Sequence, residues 1–130
     1  MERFDVLTVR REEFVDVTSA VADAVSAIGL VEGAVLIYCP HTTAAITVNE
    51  NADPAVPEDL LAGLRRVVPR DAGWKHGEGN SDGHLKSSLV GTSEMVPVSG
   101  GRLALGTWQG IWFCEFDGPR NRTLWVQRLG

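Results

Sequence analysis

The chain's three histidines all fall among small or polar residues. His41 opens a threonine-rich segment, and His76 and His84 bracket a glycine-rich one. From His76 to His84 the sequence holds two imidazoles, the carboxylates of Glu78 and Asp82 and the amide of Asn80, with no apolar side chain. A neutral imidazole offers one nitrogen lone pair, so several of them beside a carboxylate are a way to supply three or four ligands to zinc or a similar divalent ion. The same residues could equally serve as hydrogen-bonding struts of a glycine loop, and the spacing alone leaves both readings open.

Better-defined signatures fail when read literally. Gly77-x-Gly79-x-x-Asp82 lacks the third glycine of a dinucleotide fingerprint, and His76-Gly77-Glu78 has no P-C-x-x-C to complete a deaminase zinc site. There is no G-x-S-x-G elbow and no phosphate loop ending in Gly-Lys-Ser. Cys39-Pro40-His41 does not make a thiol–base pair, because adjacent strand residues point to opposite faces. Among the remaining ionisable groups, Arg120 follows the turn Asp117-Gly118-Pro119, where a guanidinium suits bidentate contact with phosphate or carboxylate. The competing role is an ion pair with Asp117 inside the turn. Trp108 and Gln109 enter an aromatic strand, where the indole either stacks on a ligand ring or packs in the core.

These residues must be positioned by one domain, since 130 residues is close to the commonest size for a single core. Lys and Arg total 12 against 17 Asp and Glu, a net charge of -5, so no whole-protein positive field gathers nucleic acid. No apolar run approaches the roughly 20 residues that cross a bilayer, and the first residues lack the pattern of a signal peptide. No membrane partner and a cytoplasmic location are the expectation. Cys39 and Cys114 lie in apolar, strand-like stretches, which predicts buried free thiols over a disulfide or a reactive thiol.

Phe4, Val6 and Thr8 alternate with Asp5, Leu7 and Val9, predicting an opening strand that Arg10-Arg11-Glu12-Glu13 breaks. Val21, Val25 and Ile28 with four alanines predict a helix from Thr18 to a stop at Gly29. Ala34 to Cys39 reads as a doubly buried strand closed by Pro40. His41, Thr43, Ala45, Thr47 and Asn49 form one face of the next strand, and their small size leaves room for a ligand, a subunit contact or solvent. A second helix carries the stripe Val56, Leu60, Leu64 and Val67 before Pro69. Trp74 to Gly83 reads as a loop, after which His84 to Val90 could resume a short helix capped by Asp82. Glu94–Val98 and Leu103–Leu105 flank a hairpin turn, and the aromatic run Trp108–Phe116, the Asp117–Arg120 turn and Thr123–Leu129 complete the chain. The sum is an α+β fold: two helices packed on an antiparallel β-sandwich of about six or seven strands.

Four of these segments, His41–Glu50, Glu78–Lys86, Gly106–Ile111 and Glu115–Arg120, together resemble the YjbQ family, in the family's order and across nearly the whole chain. The family is often described as secondary thiamine-phosphate synthases and otherwise as uncharacterised. The resemblance implies a single YjbQ-like domain, assembly as a homotrimer, and a site for a divalent metal and a phosphorylated small molecule near a subunit boundary. It implies His41, His76 and His84 as metal ligands, and Glu50, Asp82, Lys86 and Arg120 as catalytic groups. Thr43, Asn49, Asn80, Trp108 and Gln109 would contact the ligand. The implied reaction condenses a pyrimidine methyl diphosphate with a thiazole phosphate. Magnesium would prefer Glu50 and Asp82, whereas the histidines suit zinc. Gly83 stands where the family commonly has alanine, which predicts a looser loop. The alternative is a trimeric metal- or small-ligand-binding protein without a dedicated catalytic role, and a third possibility is a structural subunit whose polar loop packs at an interface.

Overall fold

The computed structural model describes all 130 residues. Three helices and eight strands follow in the order β1 (Glu2–Leu7), β2 (Glu13–Asp16), α1 (Thr18–Ile28), β3 (Gly33–Tyr38), β4 (Ala44–Glu50), α2 (Ala55–Val67), α3 (Ser81–Val90), β5 (Ser93–Ser99), β6 (Arg102–Leu103), β7 (Gln109–Glu115) and β8 (Asn121–Leu129). The strands form two antiparallel sheets, a five-stranded one in the order β1-β8-β3-β5-β6 and a three-stranded one in the order β2-β7-β4. The α+β sandwich expected from the sequence is present, with one more helix and at least one more strand. The third helix, α3, is the short helix expected from His84 to Val90, and it begins three residues earlier, at Ser81, inside the segment expected to be a loop. The additional strand is β2, which starts at Glu13 within the charged run expected only to break β1.

Period-two alternation on each strand builds the core. Val35 and Ile37 on β3, Val96 and Val98 on β5, and Leu124 and Val126 on β8 point inward from the larger sheet. Ile46, Ile111 and Phe113 meet them from the smaller one, with Val21, Ala24 and Val25 of α1 closing the same cluster. α1 starts and stops where the sequence predicts, and Gly29 adopts φ 74°, the left-handed conformation that a helix C-terminus needs and glycine supplies without strain.

The second face of the smaller sheet is covered too. Ala45, Cys114 and Phe116 are buried there beneath Leu61 and Leu64 of α2 and Val90 of α3. The apolar stripe of α2 is therefore centred on Leu61 and Leu64, and Val67, predicted to be part of it, is 72% exposed. The small side chains of β4 make room for α3. A Cβ on Gly83 would stand 3.5 Å from Thr43 and 3.0 Å from the Phe116 carbonyl, so Gly83 is a close-packed residue of a helix and does not loosen a loop. Cys39 and Cys114 are free and buried. No helix is long and apolar enough to cross a membrane.

Candidate functional site

A polar groove lies where three chain segments meet: the β3–β4 connection, the start of α3, and the β7–β8 turn. Its cavity of about 320 Å³ is lined by His41, Asn80, His84, Asp117, Arg120 and Arg122 among others, and none of its lining residues is hydrophobic. It continues past His41 and His84 into a wider cavity of about 670 Å³ whose walls include Tyr38, Ser87 and Trp125. Such a cleft, with few apolar groups at one end and aromatic rings at the other, suits a small molecule carrying a charged group and a ring.

Local structure explains how each group arrives. Pro40 ends β3, and His41 turns back so that its Nε2 accepts a hydrogen bond from the Thr123 amide of β8 at 3.0 Å. That bond uses the lone pair of Nε2 and places the ring proton on Nδ1 in the neutral form. Burial, and next the positive charge of Arg122, hold the His41 pKa below its usual 6.5. Asn80 precedes α3 and its Nδ2 donates to Asp117 Oδ2 at 2.8 Å. Arg120 folds over the same turn, donating from Nη2 to Asp117 Oδ2 at 2.9 Å and from Nε to the Asp117 carbonyl at 2.8 Å. The intraturn pair and the groove-lining position thus coexist.

The floor of the groove is a second, buried set of bonds. Arg122 donates from Nε to Glu115 Oε1 at 2.9 Å and from Nη2 to Glu115 Oε2 and to Thr43 Oγ1, the last at 2.9 Å. Thr8 Oγ1 donates to Glu115 Oε1 at 2.7 Å and accepts from the Arg120 amide at 2.8 Å. Gly118 is pressed against this set: a Cβ there would stand 2.8 Å from Glu115 Cγ and 2.9 Å from Thr8 Oγ1. The Gly118–Pro119 peptide is cis.

The residues expected at one site occupy three places. His41, Thr43, Asn80, His84 and Arg120 meet at the groove. His76 reaches it only through His84, with ring centroids 5.4 Å apart and edge-on, and its Nε2 lies 3.7 Å from Glu78 Oε2. No group of three or more His, Cys, Asp or Glu side chains is arranged to hold a metal ion.

Asp82 and Lys86, expected as catalytic groups, are in the interior behind the groove. Lys86 is 1% exposed and donates from Nζ to Glu12 Oε2 at 2.8 Å and to Asp82 Oδ2 at 3.0 Å. Arg11 clamps Asp82 with both guanidinium nitrogens, at 3.0 and 3.3 Å, and Arg65 Nε donates to Glu12 Oε1 at 3.0 Å. Burial would raise both carboxyl pKa values, but Arg11 and Lys86 outweigh it at Asp82, and Lys86 and Arg65 at Glu12, so both are lowered.

Asn49, Glu50, Trp108 and Gln109 sit at the other end of β4 and β7, where Glu50 pairs with Gln109 in the ladder. A strand as long as β4 spans about 20 Å, so within one chain these four do not reach the groove. Asn49 Oδ1 accepts from the Glu50 amide, Gln109 Oε1 accepts from the Gly106 amide, and Trp108 is exposed. Arg122 is the functional side chain that sequence reasoning missed. Its signal was an arginine in the inward register of Arg122, Leu124 and Val126, which a strand tolerates only where a buried carboxylate awaits it.

Comparison with known proteins agrees with this architecture. The family described as UPF0047 protein YjbQ-like matches residues 2–130. The UPF0047 protein YugU of Bacillus subtilis is 50% identical over 135 residues, covering 100% of this chain and 99% of its own. The UPF0047 protein MJ1081 of Methanocaldococcus jannaschii is 48% identical, covering 98% and 93%. The crystal structure of an uncharacterised conserved YjbQ/UPF0047 family protein from Clostridium acetobutylicum superposes with a TM-score of 0.97 at 46% identity, over 99% of this chain and 100% of that one. With half its residues shared end to end with one relative and its backbone matching a solved member, the chain belongs to the YjbQ/UPF0047 family.

Proposed function

We propose that the groove binds a phosphorylated small molecule and that the reaction it serves is thiamine-phosphate synthesis. The observation that carries this reading is the pair Arg120 and Arg122, two guanidinium groups lining one wholly polar cavity at the start of a helix. Departure of pyrophosphate from a benzyl-like carbon takes the electron pair of the C–O bond to the leaving group, and the thiazole nitrogen then donates its lone pair to that carbon. No protein nucleophile and no general base is required. What the reaction needs is fixed positive charge where negative charge develops, and the exposed Arg120, with Arg122 held on Glu115 beneath it, and the α3 amides supply that chemistry. The wider, aromatic-walled part of the groove gives the rings a place to lie.

A divalent ion fits the oxygen donors better than the histidines. His41 has already given its Nε2 lone pair to Thr123, whereas Glu78 and Asp117 present carboxylates beside the proposed phosphate position. Those two residues would hold magnesium, which when bound would neutralise charge on the leaving diphosphate.

Purified protein given both precursors and magnesium is expected to form thiamine phosphate above a no-protein control, and Arg120→Ala to lower the rate at least tenfold while remaining folded. Absence of product at high protein concentration would overturn the synthase reading. A second reading, ligand binding without a dedicated catalytic role, is favoured by one observation: Asp82 and Lys86 are consumed by interior ion pairs. Wild-type protein that binds pyrophosphate yet makes no product would establish it.

For assembly we propose the homotrimer. Its support is the outer face of the five-stranded sheet, where Tyr38 and Met95 are exposed next to Leu36 and Trp125 in the ladder. Light scattering is expected to give three times the chain mass of 14.1 kDa, and a mass of one chain would reject it.

A further inference from the structure

Asn80 is only 7% exposed, yet its Oδ1 has no hydrogen-bond partner. It is the only buried side-chain nitrogen or oxygen in the structure left so. The orientation of the amide follows from its surroundings. Nδ2 donates to Asp117 Oδ2, and turning the amide over would set its oxygen against that carboxylate. Buried acceptors are almost always paired, and this one belongs to a residue that lines the groove, so a bound molecule that reaches it would complete the bonding.

The geometry points to Asn80 as a specificity-determining residue whose Oδ1 accepts a hydrogen bond from a hydroxyl or amino group carried by the phosphorylated ligand. This inference rests on the phosphate-binding reading and adds to it the second feature the ligand must have. Asp117 Oδ2 receives one bond from Asn80 Nδ2 and one from Arg120 Nη2, so these two nitrogens lie no more than about 6 Å apart. A ligand with its phosphate at Arg120 therefore has Asn80 within reach of a donor carried on a short linker. A metal ion is the weaker claimant to Oδ1, because a divalent ion in this groove takes the carboxylate oxygens of Glu78 and Asp117 ahead of a neutral amide oxygen. Sites built to pair a ligand's O–H or N–H reject the analogue that lacks it, since the protein group is then left buried and unmatched.

The test uses three probes that differ only in one group: ethyl phosphate, 2-hydroxyethyl phosphate and 2-aminoethyl phosphate, each titrated into wild-type protein and followed by amide chemical shifts. At least one donor-bearing ester is expected to bind tenfold or more tightly than ethyl phosphate. In Asn80→Leu that preference should vanish, the three esters then binding within twofold of one another. Should the leucine variant not fold, Asn80→Ala carries the same comparison. Equal affinity of all three esters for wild type would overturn the inference, as would a preference that survives in the variants. The titrations are run with and without magnesium, and a preference that magnesium abolishes would place a cation on Oδ1 and also overturn it. Failure of the phosphate reading looks different: no ester and no inorganic pyrophosphate would shift any groove resonance.

Discussion

Helix α3 splits its own motif between two environments. Asn80 and His84, four residues apart, face the groove, where Asn80 pairs through Nδ2 but not Oδ1 and the His84 ring packs edge-on to His76. Asp82 and Lys86, also four apart and offset by two, face the interior, where every charge is matched. At 3.6 residues per turn an offset of two is a rotation of about 200°, so the same short stretch must present opposite faces. The contrast teaches that polar density in a sequence does not measure accessibility. Two of the most reactive-looking side chains here hold the scaffold, and the neighbours between them are left to meet a ligand.

The sharpest way to break that contrast is to remove a charge from each side. Lys86→Met leaves Asp82 with Arg11 alone and Glu12 with Arg65 and a longer 3.7 Å contact to Arg11, and is expected to lower unfolding stability by about 3 kcal/mol, read by urea denaturation. Arg120→Ala removes a surface pair and is expected to cost less than about 1 kcal/mol in the same measurement. If the two variants were equally stable, the interior network would not be the structural element assigned here.

Much of the fold was legible because periodicity is local. α1, with its glycine stop, and β3, ended by Pro40, follow from hydrophobic spacing and turn chemistry alone. Leu85 and Leu89 mark the body of α3 from His84 to Val90, but its first turn was not legible, because the buried face is made of Asp82, Gly83, Lys86 and Ser87 rather than of apolar residues. That error carried into the site. With Asp82 read as the cap of a helix beginning at His84, nothing separated it from Asn80, whereas a helix starting at Ser81 sorts the two at once. The partners that consume Asp82 and Lys86 could not be found from spacing either, since Arg11 and Glu12 lie some seventy residues upstream. The groove histidines illustrate the opposite case. Their polar setting marked them correctly as unusual, but only the structure shows His41 spending its lone pair on a strand amide while His84 stays beside the open cavity.

Acid titration of stability sharpens the same comparison with a smaller effect, because the two regions lose protonation-linked stability in different pH windows. Asp82 and Glu12 have folded pKa values below their usual 3.8 and 4.5, so the unfolded chain binds more protons, and their contribution is present above those values and lost as pH falls through the depressed ones. His41 is also lowered, from 6.5, by burial and Arg122, so it favours the folded state fully above 6.5 and loses that contribution as pH falls toward its folded value. Melting temperature is therefore expected to decline in two stages, a shallow one beginning near pH 6.5 and a steep one below about pH 4.5. In His41→Gln the shallow stage should be reduced while the steep one remains. In Lys86→Met the shallow stage should remain, because the groove does not depend on the interior lysine for the pKa of its histidine. A variant pair that altered both stages together would mean that the two faces of α3 titrate as one network, and the division drawn between scaffold and groove would fail.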